Sequence, residues 1–498
     1  MASLSDKVAI QFSSRFVVQG LQILDGILLA RWLTASGMAT FGQVFLVTTL
    51  LMPLFGTMGG GIGYFFPRLD RARQKGLLAQ SIAIGLLAGL LAAAVIFLVA
   101  EPLGQRFQNP ALPDLLRLFC LFPVLVFPTY FFGQFTICAN RNVTGACVSG
   151  IGKLAHSAII ATCLFTGASL GVLLAGLLIY HAALMLFSTA YAARFYRDTP
   201  MHWDRSMLRS QFTYTIPIAL AAATGVLSRE LDKVIASAFF VPSMVAIYLV
   251  GAREVPVLFL VAGSISSIIF PEMSRHLAEG NPHKAAELWA ESIRKQAMVA
   301  IPTFIFLMIF AVEFTVTLYG RKYAESAGVF RIYLLVLPLR CVLWSLMLSA
   351  AGITRPLFWA ASLSLASNLA LGLLAIHLFG ILGAAIGTVG SVVVEAGYCG
   401  WVTWRRVNVN ILACFPWRFM LRLSAISLGV SLLLIPLRLI PLRSEILFMV
   451  ALPAFSAAVS VLVLVLGCLT EYEKSTFKRW LSPLLLWQTR LKSGAGRS

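Results

Sequence analysis

The sequence predicts an all-α polytopic membrane protein with about 14 transmembrane helices, built as two parallel-repeat six-helix bundles plus a C-terminal helix pair. Three observations carry that expectation: an extreme apolar composition, hydrophobic runs of spanning length from end to end, and a landmark pattern that occurs twice. Of the 498 residues, 59% are hydrophobic and 12% charged. No water-soluble core absorbs so much apolar sequence, so hydrocarbon has to solvate it.

Apolar runs of roughly 20 residues suffice to cross a hydrocarbon core of about 30 Å as helices. They fall at about 12–34, 41–66, 77–100, 113–137, 143–166, 168–195, 211–238, 243–270, 295–320, 326–350, 356–378, 380–403, 419–440 and 446–469. An even count puts both termini on one side, and Lys and Arg choose the side, because basic residues in short loops stay in the cytoplasm. Roughly 25 of the 39 Lys and Arg fall in the termini and even-numbered loops, against about 8 on the other side. Both termini are therefore expected in the cytoplasm, with Arg68, Arg71, Arg73 and Lys75 on that face. Most of the +19 net charge is topology and not a nucleic-acid site, with some contact to anionic lipid headgroups.

Neither a disulfide framework nor a zinc site is indicated by the eight cysteines, which lie in or beside apolar runs without CxxC or Cys/His spacing. No cofactor or metal is expected. Arg15 and Asp25 interrupt the first run and no small-residue cleavage site follows, so it reads as a retained helix. Asn142 opens an Asn-Val-Thr sequon in a loop expected inside. The glycines 59–61 and Gly63 end an apolar helix without a flanking strand, which points to close helix packing and not to a dinucleotide loop.

Internal repetition sets the domain organisation. The first run reads Gln11, Phe12, Asp25, Ser36, Ala39 and Phe41; the seventh reads Gln211, Phe212, Asp232, Ser243, Ala246 and Tyr248. One offset, 207, separates Asp25 from Asp232, Ser36 from Ser243 and Phe41 from Tyr248. Pro67 answers Pro271, and Arg117 and Pro123 answer Arg331 and Pro338. Six helices separate the copies, so both have the same orientation, related by an axis along the membrane normal, with a central cavity between them as the natural site. The expected divisions are 1–200 for the first bundle, 201–410 for the second, 411–470 for the extra pair and 471–498 for a basic, amphipathic cytoplasmic tail.

A charge in hydrocarbon costs about 2.5 to 3.5 kcal/mol even on a lenient scale, so each intramembrane charge should face a partner or a wet cavity. Arg229, Glu230, Asp232 and Lys233 share one arc of the seventh helix. Asp232 and Arg253 come out at similar depth on adjacent helices and are expected to pair. For Asp25, Arg229, Glu230 and Asp232, ion pairs that fix helix register weigh as much as function. Lys153, Arg253 and Arg340, near mid-span with fewer obvious partners, are the candidates to hold a phosphate, with Arg15, Arg229 and Lys233 also lining the cavity. Asp25, Glu230, Asp232, Glu254, Glu395 and His156 are the ion-pair or coupling-ion candidates.

The run Leu28-Leu29-Ala30-Arg31-Trp32-Leu33, followed by Ala39-Thr40-Phe41-Gly42, resembles the first-helix signature of the polysaccharide transporter family, the O-antigen flippases of the multidrug, oligosaccharidyl-lipid and polysaccharide exporter superfamily. Leu231-Asp232-Lys233-Val234-Ile235 with Ala246-Ile247-Tyr248 is similar to its seventh-helix signature. The resemblance implies a non-enzymatic flippase of the bacterial inner membrane that moves undecaprenyl-diphosphate-linked oligosaccharide by alternating access, for exopolysaccharide or lipopolysaccharide biosynthesis. Its implied partners are the lipid-linked saccharide, membrane lipids, and the pathway's polymerase and glycosyltransferases. The extra helix pair matches the lipid II flippase branch in number, whereas that branch's arginine-rich early helices are missing. Two rivals stay open: a cation-coupled multidrug exporter, which would favour an acidic cavity, and a membrane polysaccharide polymerase or ligase, which would need an outer loop or surface acidic motif.

Overall fold

A computed structural model describes residues 4–56, 58–409, 415–440 and 443–466, excluding the side chains of 4–16, 54–60, 221, 256–261, 264 and 267. The expected tail at 471–498 lies outside the described residues. Every described element is helical, and 11 helices are long and apolar enough to cross a membrane. In chain order they run α1 (Leu4–Trp32), α2 (Ala35–Gly56), α3 (Met58–Phe65), α4 (Arg71–Arg106), α5 (Leu112–Phe119), α6 (Leu121–Val126), α7 (Tyr130–Cys138), α8 (Asn142–Phe165), α9 (Leu170–Phe195) and α10 (Arg205–Phe239). Then follow α11 (Pro242–Gly251), α12 (Pro256–Ala278), α13 (Pro282–Ile309), α14 (Ala311–Tyr319), α15 (Ser326–Leu334), α16 (Val336–Arg340), α17 (Trp344–Ala350), α18 (Arg355–Phe379) and α19 (Ile381–Val407), and last a pair at Trp417–Leu434 and Ser444–Val465.

Helix starts follow local chemistry. Asp70, Ser169, Asp204 and Asn281 cap α4, α9, α10 and α13, each accepting a hydrogen bond from a backbone N–H of the first turn. The Asp204 carboxyl also accepts from the Ser206 hydroxyl at 2.7 Å, and these bonds hold it below the usual carboxylate range.

The eighth run, read as one helix over 243–270, is broken: α11 stops at Gly251, and Ala252–Val255 is non-helical before Pro256 opens α12. Proline cannot donate to a continuing helix, and Arg253 and Glu254 sit in the gap. The fourth and tenth runs are broken as well, at Cys120 and Phe127–Thr129 in one and at Leu335 and 341–343 in the other, beside Pro123, Pro128 and Pro338. Backbone groups freed inside a membrane need new partners. In the first copy α4 comes close enough that a Cβ on Gly85 would sit 2.9 Å from Pro128 N, and one on Gly89 2.6 Å from Val124 Cα. In the second copy the α13 indole of Trp289 donates to the Val342 carbonyl at 2.8 Å, and Trp344 donates to Leu339 at 3.0 Å.

The contacts group the chain into two units. Unit one holds Met1–Pro256, Leu318–Tyr333 and Thr354–Tyr398; unit two holds Val257–Thr317, Leu334–Ile353 and Cys399–Ser498. In unit one, α1 packs on α8, α2 on α10 and α11, and α10 on α18. The stretch 196–204, between the expected bundles, is fastened along α4: Arg71 donates to Phe195 O, Lys75 to Thr199 O at 2.6 Å and Gln80 to Asp204 O at 2.8 Å, and the Tyr196 hydroxyl donates to Gln74 at 2.9 Å. Part of the basic cluster assigned to topology therefore also holds this connection. In unit two the terminal pair lies on α13, with Leu423 against Ala297 and Ile301 and Phe455 stacked 4.6 Å from Phe306. Arg438 grips Glu313 with bonds of 2.6 and 3.0 Å and donates to Ile309 O at 2.9 Å.

Candidate functional site

Two polar centres in unit one grow from the repeated aspartates. At the first, α1 presents Asp25, only 4% exposed, to α8. Lys153 and His156 are one turn apart on α8, so both reach it. The Lys153 ammonium lies 2.5 Å from Asp25 Oδ2 and 3.2 Å from His156 Nδ1, which is itself 3.4 Å from that oxygen. The other carboxyl oxygen of Asp25, Oδ1, is buried without a hydrogen bond. On α9 the rings of Tyr180 and His181 stand 5.8 and 6.3 Å from His156. Lys153, expected to have few partners, is thus paired; spacing along one helix carries no information about which carboxylate a neighbouring helix offers.

Arg253 reaches the same turn of α1 from the break after α11. Its guanidinium lies against Gly26, where a Cβ would stand 3.1 Å from Cζ, and over the Tyr319 ring at 5.5 Å. The expected Asp232–Arg253 pair is therefore not formed. An uninterrupted helix would have kept Arg253 beside α10; the non-helical residues 252–255 carry it to α1.

At the second centre Asp232 is fully buried. It accepts from the hydroxyls of Tyr248, at 2.6 Å, and Tyr333. Lys233 lies 3.6 Å from Asp232 and 3.0 Å from Glu230, and donates to the Arg229 carbonyl at 3.2 Å. One ammonium thus serves two carboxylates within about one helical turn, and the Arg229 side chain is exposed. The α18 amide of Asn368 donates to Ser228 O at 2.9 Å.

The remaining candidates are spread more widely. Glu254 is half-buried in the break, Glu395 half-buried on α19, and Arg340 ends α16 in unit two; each has an interaction partner. The side chain of Arg15 lies outside the described residues. Reading the sequence missed Tyr248, Tyr333 and Asn368. Only Tyr248 left a trace: at its position the first copy has Phe41, so the second copy adds one hydroxyl where a buried aspartate needs a donor.

A family model described as polysaccharide biosynthesis protein matches residues 28–328, more than half of the chain. The chain belongs to that family. The match includes both signature runs, Lys153, Asp232 and Arg253, so the resemblance read from the sequence is borne out. The probable low-salt glycan biosynthesis flippase Agl15 of Haloferax volcanii is 25% identical over 193 residues. That match spans 38% of this chain and only 40% of the relative's length. Among solved structures, the lipid II flippase MurJ in an inward closed conformation matches with a TM-score of 0.70 at 16% identity, covering 91% of this chain and 99% of that one. An inward-facing multidrug resistance MATE family transporter of the MOP superfamily matches at 0.65 and 15% identity, covering 78% and 94%. At these identities the likeness is one of fold, and it bears out the all-α membrane architecture.

Proposed function

We propose that this polysaccharide biosynthesis protein is a flippase that carries undecaprenyl-diphosphate-linked oligosaccharide across a bacterial cytoplasmic membrane by alternating access. One observation carries the reading: Lys153, His156 and Arg253, from two separate elements, converge on the turn of α1 at Asp25 and Gly26. Two permanent cations around one carboxylate leave a net positive site. A diphosphate brings about two negative charges that cannot enter hydrocarbon unpaired. Mobile ammonium and guanidinium groups can take it over from Asp25, and Asp25 reclaims Lys153 when the lipid leaves, which keeps the cargo from binding too tightly to be released. The same balance disfavours a cationic drug as cargo. The Haloferax relative, a probable glycan biosynthesis flippase, supports a glycan-linked cargo, and the enzyme reading gains nothing from a centre held inside helices.

The rocking halves in this reading are the bundles 1–200 and 201–410, with the terminal pair accommodating the polyprenyl tail. The pathway's glycosyltransferases supply the lipid-linked unit and its polymerase consumes it. Replacing Lys153 or Arg253 with Gln, at normal membrane levels, is expected to lower outer-leaflet appearance of the lipid-linked saccharide at least roughly tenfold and to make it accumulate inside, as loss of one charge-assisted contact to phosphate predicts. Wild-type flipping by both variants sinks the assignment. Orientation is tested separately. A reporter fused after Arg73 should read as cytoplasmic, and a periplasmic signal there reverses the topology.

A further inference from the structure

The C-terminal ends of α1 and α14 are capped by each other's cations. Lys322, just beyond α14, donates to the carbonyls of Arg31 at 3.1 Å and Leu33 at 2.6 Å. In return Arg31 Nε donates to the Leu318 carbonyl at 2.9 Å. The last carbonyls of a helix have no partners within it and carry the negative end of its dipole. Two such ends side by side repel unless each receives a cation, and here each supplies the other's. Under this polar layer lies an apolar one: Tyr319 and Tyr323 are buried in one core with Leu29 and Ala30.

The two copies close this end with different contacts. In the first copy Asn109, in the connection between α4 and α5, donates to Thr40 at 2.9 Å and to Gln43 at 2.7 Å. Those contacts are neutral. Arg106, the last residue of α4, crosses to lie 5.2 Å over the Phe239 ring at the end of α10, whereas Lys322 of the second copy reaches backbone carbonyls about 290 residues away in sequence.

We infer that Lys322 and Arg31 form a reversible clasp that holds shut the membrane face at which α1 ends, and that opening of this face during transport breaks it. The inference rests on the alternating-access reading. Both cations and all three carbonyls lie at helix ends, where water replaces the lost partners once the face opens, so the clasp sets a population without trapping the closed state. The Tyr319 and Tyr323 layer then parts behind it.

The test uses the full-length chain in membranes. Ala30, fully buried below the clasp, is replaced by cysteine, and its labelling by a membrane-impermeant maleimide from the outer face is followed, with the parent lacking A30C as the background. Lys322→Gln should raise the labelling rate about tenfold, as expected for lost charge-assisted hydrogen bonds. Arg31→Gln should raise it in the same direction, and Lys322→Arg, which keeps the charge, should stay close to the parent. Unchanged labelling in both Gln variants, properly inserted, overturns the clasp. So does an equal rise in Lys322→Arg, which would make the contact one of packing. Reagent access does not depend on cargo. A shift in labelling without any saccharide flipping would therefore leave the clasp standing and sink the flippase reading.

Discussion

Replacing Asp232 with leucine is expected to destabilise the protein by about 3–5 kcal/mol, the usual result of removing one partner from a buried, hydrogen-bonded charge pair. The loss has three parts. Tyr248 and Tyr333 lose the acceptor for their hydroxyls, Lys233 keeps only Glu230 and a carbonyl, and the position of the carboxylate is itself fully buried. Asp232→Asn keeps an acceptor for both tyrosines and should cost less than half as much. Unfolding of the purified protein in detergent, followed by denaturant midpoint, reads both variants. A leucine variant within about 1 kcal/mol of the parent would mean that the carboxylate contributes nothing to the fold.

The second large effect belongs to a place with no charge at all. α18 and α19 meet through glycines: a Cβ on Gly387 would stand 2.5 Å from the Gly372 Cα, which is backbone and cannot swing aside. Gly387→Leu should therefore cost about 1–3 kcal/mol or more as the helices are forced apart. Gly397, on the same helix, has nothing within 4 Å of its would-be Cβ. Gly397→Ala should stabilise by about 0.5–1 kcal/mol through helix propensity. Opposite shifts in melting temperature for one helix would confirm the packing; two shifts of the same sign would contradict it.

Much of the architecture was legible because the bilayer enforces it. Spanning length is a solvation effect, written in composition, and the repeated aspartates survive as matched spacings. The breaks were less legible. Pro123 and Pro338 announce interruptions, but residues 252–255 are interrupted by a proline three residues after Arg253, and hydropathy reads straight through it. That one break redirected Arg253 from Asp232 to Gly26. Partner choice was the other blind spot. Lys153 and Asp25 are 128 residues apart, and no periodicity within either helix encodes that pairing. The clasp was invisible for the same reason: Arg31 was read as part of a signature and Lys322 was not singled out, while both answer to carbonyls that every helix end has.

The connection at 196–204 leads to a consequence about slack. A free nine-residue linker would let its two ends wander over roughly 15 Å or more, and the second bundle would behave as a domain on a leash. Here Arg71, Gln74, Lys75 and Gln80 fasten the chain to α4 at Phe195, Tyr196, Thr199 and Asp204, the last being the cap of α10. The tether has no play left in it. The origin of α10 is thereby set on α4, so a displacement of that helix start must carry α4 with it or first break these bonds. In mechanical terms the connection is an anchor and not a spacer.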